Sequence, residues 1–370
     1  MSEEKRSLIF IPDISGFTRF VNDTEIQHSQ HIIEELLEVI LKANILKLEV
    51  SEIEGDAILF YRPGDPPPLE QVSAQIKHMF IDFHSYLQLI ERDTVCQCGA
   101  CRTASKLTLK FFIHFGEIGI SKIREHTKLM GKNVIVAHRI MKNMVEGDEY
   151  LLMTDEYVNL HNGSEVNSIL NWADLNAGKD VYDHIGEVCY RYIELSSLRD
   201  HIKPIKPAPD VQKYPNPIVF STTIARPMES VYRIATDLAL RTKWSEGLKK
   251  ITYNEQEIPR IGSKHICDLS AGLVELETIQ NKRDDKKIEY AEQATKSYIF
   301  PKATTFFIFE DDGGKTKFSM QFQYKRIFLV GWLVDLVFKK GLAENIKKSV
   351  QNLKLFSEEA FQNHRAKATI

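Results

Sequence analysis

Several things are scarce in this sequence, and each shortage excludes something. Basic charge is not in excess: Lys and Arg total 48 against 51 Asp and Glu, for a net charge of −3. A dedicated nucleic-acid binder would be strongly basic, so no nucleic-acid partner is expected. Cysteine is rare and odd in number, five in 370 residues, which argues against a disulfide framework and for a reducing cytoplasm. The opening Met-Ser-Glu-Glu-Lys-Arg-Ser is polar with no apolar signal region behind it, so no leader peptide is expected. The longest apolar run, Phe328 to Phe338, is too short to span a bilayer and carries Asp335 in its middle, so no transmembrane segment is expected. No internal repeat is visible. What is present is the balance of an ordinary globular chain, 43% apolar and 27% charged, long enough for two domains.

The division falls at a proline cluster. Five prolines occur between Pro204 and Pro217, where each ring fixes φ and removes a donor. The sequence therefore predicts domains over 1–200 and 218–365, joined by a linker over 201–217. In the first, Ser7–Ile11 reads as a strand ending at Pro12-Asp13. Apolar spacing predicts a helix over about Thr24–Leu46. Leu46–Ile53 and Ala57–Tyr61 read as strands joined at Glu54-Gly55-Asp56. Leu69–Ile90 reads as a helix. Leu107–His114 and Glu117–Lys122 read as a hairpin around Phe115-Gly116. Asn133–Met144 reads as a helix and Glu187–Leu195 as a last strand. This order is that of a ferredoxin-like α+β domain. After the linker come a strand at Ile218–Ile224 and a helix at Pro227–Arg241. Six strands follow between Leu248 and Tyr324, with a turn at Asp311-Asp-Gly-Gly314, and then a long helix over about Leu329–Phe361. That order predicts an antiparallel sheet wrapped on the final helix.

Asp13 ends one strand and Asp56 sits at a hairpin tip. If those strands are neighbours, the two carboxylates converge and repel unless a divalent cation, Mg or Mn, joins them. The following Ile14-Ser15-Gly16-Phe17-Thr18 offers backbone N–H groups in a glycine-bearing turn suited to phosphate oxygens. The bland alternative is a turn cap and an ordinary hairpin residue.

Four segments, in order, carry a resemblance. They are Pro12-Asp-Ile-Ser-Gly-Phe-Thr18, Glu52-Ile-Glu-Gly-Asp56, Phe112-Ile-His-Phe-Gly-Glu117 and Gly131-Lys-Asn-Val-Ile-Val-Ala-His-Arg139. Together they resemble the class III nucleotidyl cyclase domain over about residues 5–195. The resemblance implies two divalent ions at Asp13 and Asp56, a nucleoside triphosphate as ligand, and a site shared across a homodimer. It also implies base reading by Glu52 with Lys128, and Arg139 as a catalytic residue steadying the leaving pyrophosphate. The pattern is degenerate. Glu52 matches the guanylyl rather than the adenylyl choice, and Lys128 matches neither; it is expected to pair with Glu52. The family's transition-state Asn falls on Ile135, which cannot donate a hydrogen bond. The phosphate-binding Lys falls near Asp183. Losing one preorganised donor costs about 10²–10³ in rate, so little turnover is expected.

Cys96-Gln-Cys98-Gly-Ala-Cys101 sets three thiols within six residues, a spacing that favours a structural Zn site over a disulfide. A fourth ligand is needed, with His84, His78 or a partner chain as candidates. Cys189 and Cys267 lie in strand patterns and read as core residues.

The second half resembles the polyketide-cyclase/START-like (SRPBCC) superfamily over about 216–362. The resemblance rests on Pro227-Met-Glu-Ser-Val-Tyr232, Arg241-Thr-Lys-Trp244 and the helix-grip order. It implies a hydrophobic small molecule or lipid as ligand, with Trp244, Phe307, Phe309, Phe318, Met320, Phe322, Trp332 and Phe338 as candidate walls. Solid packing of these rings is the alternative. The reading is thus an α+β chain, a ferredoxin-like cyclase-type domain followed by a START-like domain. It is expected to be a degenerate metal- and nucleotide-binding module fused to a hydrophobic-ligand module, with a regulatory role. The alternatives are an active cyclase with non-adenine preference, and a lipid carrier with a structural first domain.

Overall fold

The computed structural model describes every residue except 1–2, 125, 209, 256, 271, 297–299, 327–330 and 368–370. It forms two compact units, Met1–Glu91 with Gly99–Ile205, and Arg92–Cys98 with Lys206–Ile370.

The first unit is built on strands β1 (Glu3–Ser15), β2 (Glu49–Glu54), β3 (Ala57–Pro63), β4 (Thr108–Ile123), β5 (His126–Met130), β6 (Tyr150–Thr154), β7 (Asn176–Tyr182) and β8 (Gly186–Glu194). Its helices are α1 (Phe17–Asn22), α2 (Ile26–Lys42), α3 (Leu69–Asp93), α4 (Gly99–Thr103), α5 (Lys132–Ile140), α6 (Asp155–Val158) and α7 (Gly163–Ile169). The strands run β2-β3-β1-β4-β6-β8-β7 across the sheet, with β5 paired to β4, and only β4–β6 is parallel. Alternation along β1 splits its apolar residues between two faces. Ile9 and Ile11 join Leu59, Phe112, Leu152 and the α5 residues Val134, Val136 and Ile140 in one cluster. Phe10, on the other face, meets the rings of Phe60 and Phe111.

Two local expectations are corrected. β1 does not stop at Pro12; it runs to Ser15, because Pro12 opposes Phe111 at a place where the recorded pairing with β3 skips Ile11 and Pro12. The missing proline donor coincides with that gap on the β3 side, while pairing with β4 runs on through Pro12. Nor is there a turn at Phe115-Gly116. β4 is one strand paired with β1 for thirteen positions, and it hairpins onto β5 instead. Gly116 serves close approach rather than a turn. A Cβ there would lie 2.4 Å from the Asn133 Cγ. Asn133 in turn donates to the Glu117 carbonyl at 2.8 Å and lies 3.0 Å from His114 Nε2. Gly116→Ala should therefore break this bridge to the buried His114 and lower stability by about 1–3 kcal/mol, read by urea denaturation. An unchanged midpoint would mean that Asn133 shifts at no cost.

The second unit holds β9 (Ile218–Ile224), β10 (Leu248–Thr252), β11 (Lys264–Leu269), β12 (Gly272–Arg283), β13 (Lys287–Ala294), β14 (Thr304–Asp312) and β15 (Lys315–Gln323). Its helices are α8 (Met228–Thr236), α9 (Arg241–Trp244) and α10 (Gly331–Lys367). The antiparallel order is β10-β11-β12-β13-β14-β15-β9, and α10 lies along β9. The single helix expected over Pro227–Arg241 is two, broken where Asp237 is extended. Val231, Tyr232, Trp244, Phe307, Phe309 and Phe318 pack with Val350 and Leu353 of α10.

Candidate functional site

The first site is set by strand register. Asp13 of β1 stands opposite Ala57 of β3 on one side and Lys110 of β4 on the other. Gly55, at φ 61°, makes the tight β2–β3 turn, so Asp56 precedes the residue facing Asp13. The Ile14 amide donates to the Asp56 carbonyl at 2.9 Å, which clamps the two turns together. Asp13 and Asp56 thus lie at one end of the sheet, where the charge of one reaches the other. Burial, and then the charge of Asp56, push the Asp13 carboxyl up to about 7, against the pull of Lys110. Burial also raises Asp56. Two half-buried carboxyls that feel each other's charge, one of them holding a proton up to about 7, suit a divalent cation, which can take the proton's place.

The neighbouring loop is partly committed elsewhere. The Ile14 N–H is spent on Asp56, and the Ser15 hydroxyl donates to Asp148 Oδ1 at 3.1 Å, so neither group is open to a phosphate in this arrangement. Gly16, at φ 88°, turns the chain into α1, whose first amides have no intrahelical acceptor. The Phe17 ring packs over Gly55, and Thr18 is exposed. Lys110 was missed in the sequence. It faces Asp13 in register, lies 3.8 Å from Asp148 and stacks 4.9 Å from the Tyr150 ring. Its only signal was a charge inside an apolar strand.

The base-reading pair does not form as expected. Glu52 lies 3.6 Å from His138 of α5 and, among the described residues, makes no ion pair with Lys128, whose backbone opposes Ser121 in the β4–β5 hairpin. Ile135 is 53% exposed and Arg139 is exposed on the same short helix. Asn133 cannot stand in for the missing Asn. Its amide donates to Glu117, so its oxygen accepts the proton of His114 Nε2, and His114 Nδ1 then accepts from the Thr154 hydroxyl at 2.8 Å. Burial lowers the His114 pKa, in keeping with this neutral tautomer. Asp183 is exposed in the β7–β8 turn.

A second constellation gathers at the cysteines. The ligand atoms of Cys96, Cys98, Cys101 and His28 lie within 4.8 Å of one another. The sequence's candidates for a fourth ligand are engaged elsewhere: His84 lies 2.9 Å from Glu149, and His78 lies 3.5 Å from Asp82. Cys267 is buried as expected, whereas Cys189 is only half-buried in β8.

In the second unit the expected apolar hollow is not lined by the residues expected. Trp244, Phe307 and Phe309 are 1%, 2% and 0% exposed, Trp244 meets Phe307 and Phe309 meets Tyr232, so these rings pack within one core. Phe318 packs likewise against Phe309. Phe322 belongs to a different group of rings, with Phe300 at 6.0 Å and Tyr324 at 6.0 Å. Trp332 lies in α10, its side chain outside the described residues. Beside these rings lies a buried polar group. Arg241 grips Glu292 with two bonds of 3.0 and 2.7 Å, and the Tyr290 hydroxyl donates to Glu292 at 2.5 Å. A cavity of about 20 Å³ beside His265, Thr278 and Tyr290 has room for one water.

Comparison with known proteins finds two family models. Residues 33–150 match a protein of unknown function (DUF2652), and residues 218–358 match polyketide cyclase/dehydrase and lipid transport. An uncharacterised protein of Mycobacterium tuberculosis is 34% identical over 121 residues, which is 33% of this chain and 56% of that relative. In fold, the N-terminal half resembles an adenylyl cyclase of P. aeruginosa, at 13% identity over 52% of this chain and 96% of that one, TM-score 0.37. It also resembles the guanylate cyclase domain from Catenaria anguillulae solved with GTP, at 16% identity over 52% and 97%, TM-score 0.37. Residues 218–358, which match the second of these family models, fold as an antiparallel sheet followed by a C-terminal helix.

Proposed function

We propose that the first unit binds a divalent cation with a nucleoside triphosphate, acts as a regulatory module, and turns over little or no substrate. The observation that carries this reading is the register that seats Asp13 opposite Ala57, with Asp56 clamped beside it. Mg²⁺ or Mn²⁺ would be held by these two carboxylates and would neutralise phosphate charge there. Gly16, Phe17 and Thr18 supply the open amides. Arg139 supplies a cation on α5, and Glu52 with His138 supplies the polar edge for a base. Ile135 supplies no donor to a transition state, which is why binding outlasts turnover in this reading.

Calorimetric titration of Mn²⁺ with each of the four triphosphates tests it. Metal-dependent binding is expected, weakened at least tenfold by Asp56→Asn. Because the cation displaces a proton from Asp13, Mn²⁺ affinity should climb with pH and level off above about 7. Absence of binding, or equal affinity of Asp56→Asn, ends the reading. Product mass after incubation with Mn²⁺ separates binding from cyclisation.

A second reading concerns the other unit. Its apolar ligand would meet not the solid core but the ring group at Phe300, Phe322, Tyr324 and Phe338. There Phe300 lies 5.9 Å from Phe338, and Leu336, Val337 and Phe338 are exposed on α10. Large exposed apolar side chains in sequence mark a surface built to be covered. Co-purified apolar compounds in native mass spectrometry, lost in Phe300→Ala, would support a hydrophobic small-molecule or lipid ligand. A ligand-free spectrum would count against it.

A further inference from the structure

We infer that His28 of α2 completes, with Cys96, Cys98 and Cys101, a tetrahedral zinc site. The sequence shows three thiols in one six-residue loop but cannot name a fourth donor, because His28 lies nearly seventy residues upstream. The structure supplies it. α4 packs beside α2, and Gly99 at its start allows that approach: a Cβ there would lie 3.2 Å from the Glu25 carboxylate, and the Ala100 amide points to the same carboxylate at 3.4 Å. This places the buried Cys101 Sγ 3.6 Å from His28 Nδ1.

That separation has a meaning. Zn–S and Zn–N bonds of about 2.3 and 2.0–2.1 Å at a tetrahedral angle set sulfur and nitrogen about 3.6 Å apart. All four donors already fall within 4.8 Å, so a contraction of about 1 Å at most closes the shell. Three soft thiolates and one imidazole select zinc over magnesium or calcium, and a full set of four protein ligands leaves no open position for chemistry. The site is structural. It pins the cysteine loop to α2 and is separate in ligands and in chemistry from the carboxylates at Asp13 and Asp56.

The full chain, purified under reductant without chelator, decides this. Elemental mass spectrometry should read about one zinc per chain. Cobalt(II) exchanged into the site should give the intense visible bands of tetrahedral coordination with thiolate charge transfer. Cys98→Ser should weaken metal affinity by at least about tenfold, as should His28→Ala. His28→Cys should restore tetrahedral cobalt with stronger charge transfer, and Cys189→Ser should change nothing. If a variant fails to fold, titrating the wild-type thiols with a mercurial should still release one zinc, read with a colorimetric chelator. Substoichiometric metal with no tetrahedral cobalt spectrum, or an iron–sulfur chromophore, overturns the site. Full affinity in His28→Ala overturns the role of His28.

Discussion

Replacing Arg241 by methionine while Glu292 stays in place should destabilise the second unit by about 3–5 kcal/mol. Both side chains are buried, at 4% and 1% exposure, and their fork-to-fork bonds satisfy each other. Removing the guanidinium strands a carboxylate that water cannot reach. It also strips the cation from between the Trp244 and Phe307 rings, 5.2 and 5.1 Å from its carbon. The double replacement Arg241→Met with Glu292→Leu should recover most of the loss, because apolar groups of similar volume need no partner. Urea denaturation followed by tryptophan fluorescence measures both. A single variant within about 1 kcal/mol of wild type would show that the pair is hydrated in solution. The pair also sets an acid limit. Burial pushes Glu292 up, but the Arg241 charge and bonds outweigh it and hold Glu292 at about 2, below its ordinary 4.5. A folded value below the unfolded one means that the contribution is present above about pH 4.5 and lost as pH falls toward 2.

Asp13→Asn should have the opposite kind of effect on the first unit, stabilising it at pH 8 by about 2–4 kcal/mol in the presence of a chelator. The Asp13 carboxyl sits at about 7 when folded, against 3.8 as its ordinary value, chiefly through burial and then through Asp56. Between those values the folded chain holds a proton that the unfolded chain has released. Stability therefore falls as pH rises from about 4 to 7, and the neutral amide removes that slope. Saturating Mn²⁺ should restore the wild type at pH 8 and leave Asp13→Asn unmoved. Parallel pH profiles of wild type and variant would show that Asp13 is not strained by its neighbours. Such a site is less stable than its surroundings require, which is a common mark of a binding position.

The sequence alone determined a good deal of this protein. Apolar periodicity along α2 and α3, and alternation from Lys264 through Gln323, foretold those elements because each buries one face and the repeat is local. The turn at Gly55 set Asp56 at a hairpin tip, since a hairpin fixes register over a few residues, but the pairing of β1 with β3 that brings Asp13 to it joins segments far apart in the chain and belongs to the tertiary structure. Tertiary structure decided what depends on residues far apart in the chain. It carried β4 straight through Phe115-Gly116, because thirteen paired positions on β1 outweigh a glycine's preference for turns. It gave Glu52 to His138 rather than Lys128, and it brought His28 to the cysteine loop. It packed Trp244 and Phe307 solid around Arg241 and Glu292, fifty-one residues apart. A local pattern records which face a residue needs to hide. Which partner meets it there is settled only when strands and helices pack, and that information is spread over the whole chain.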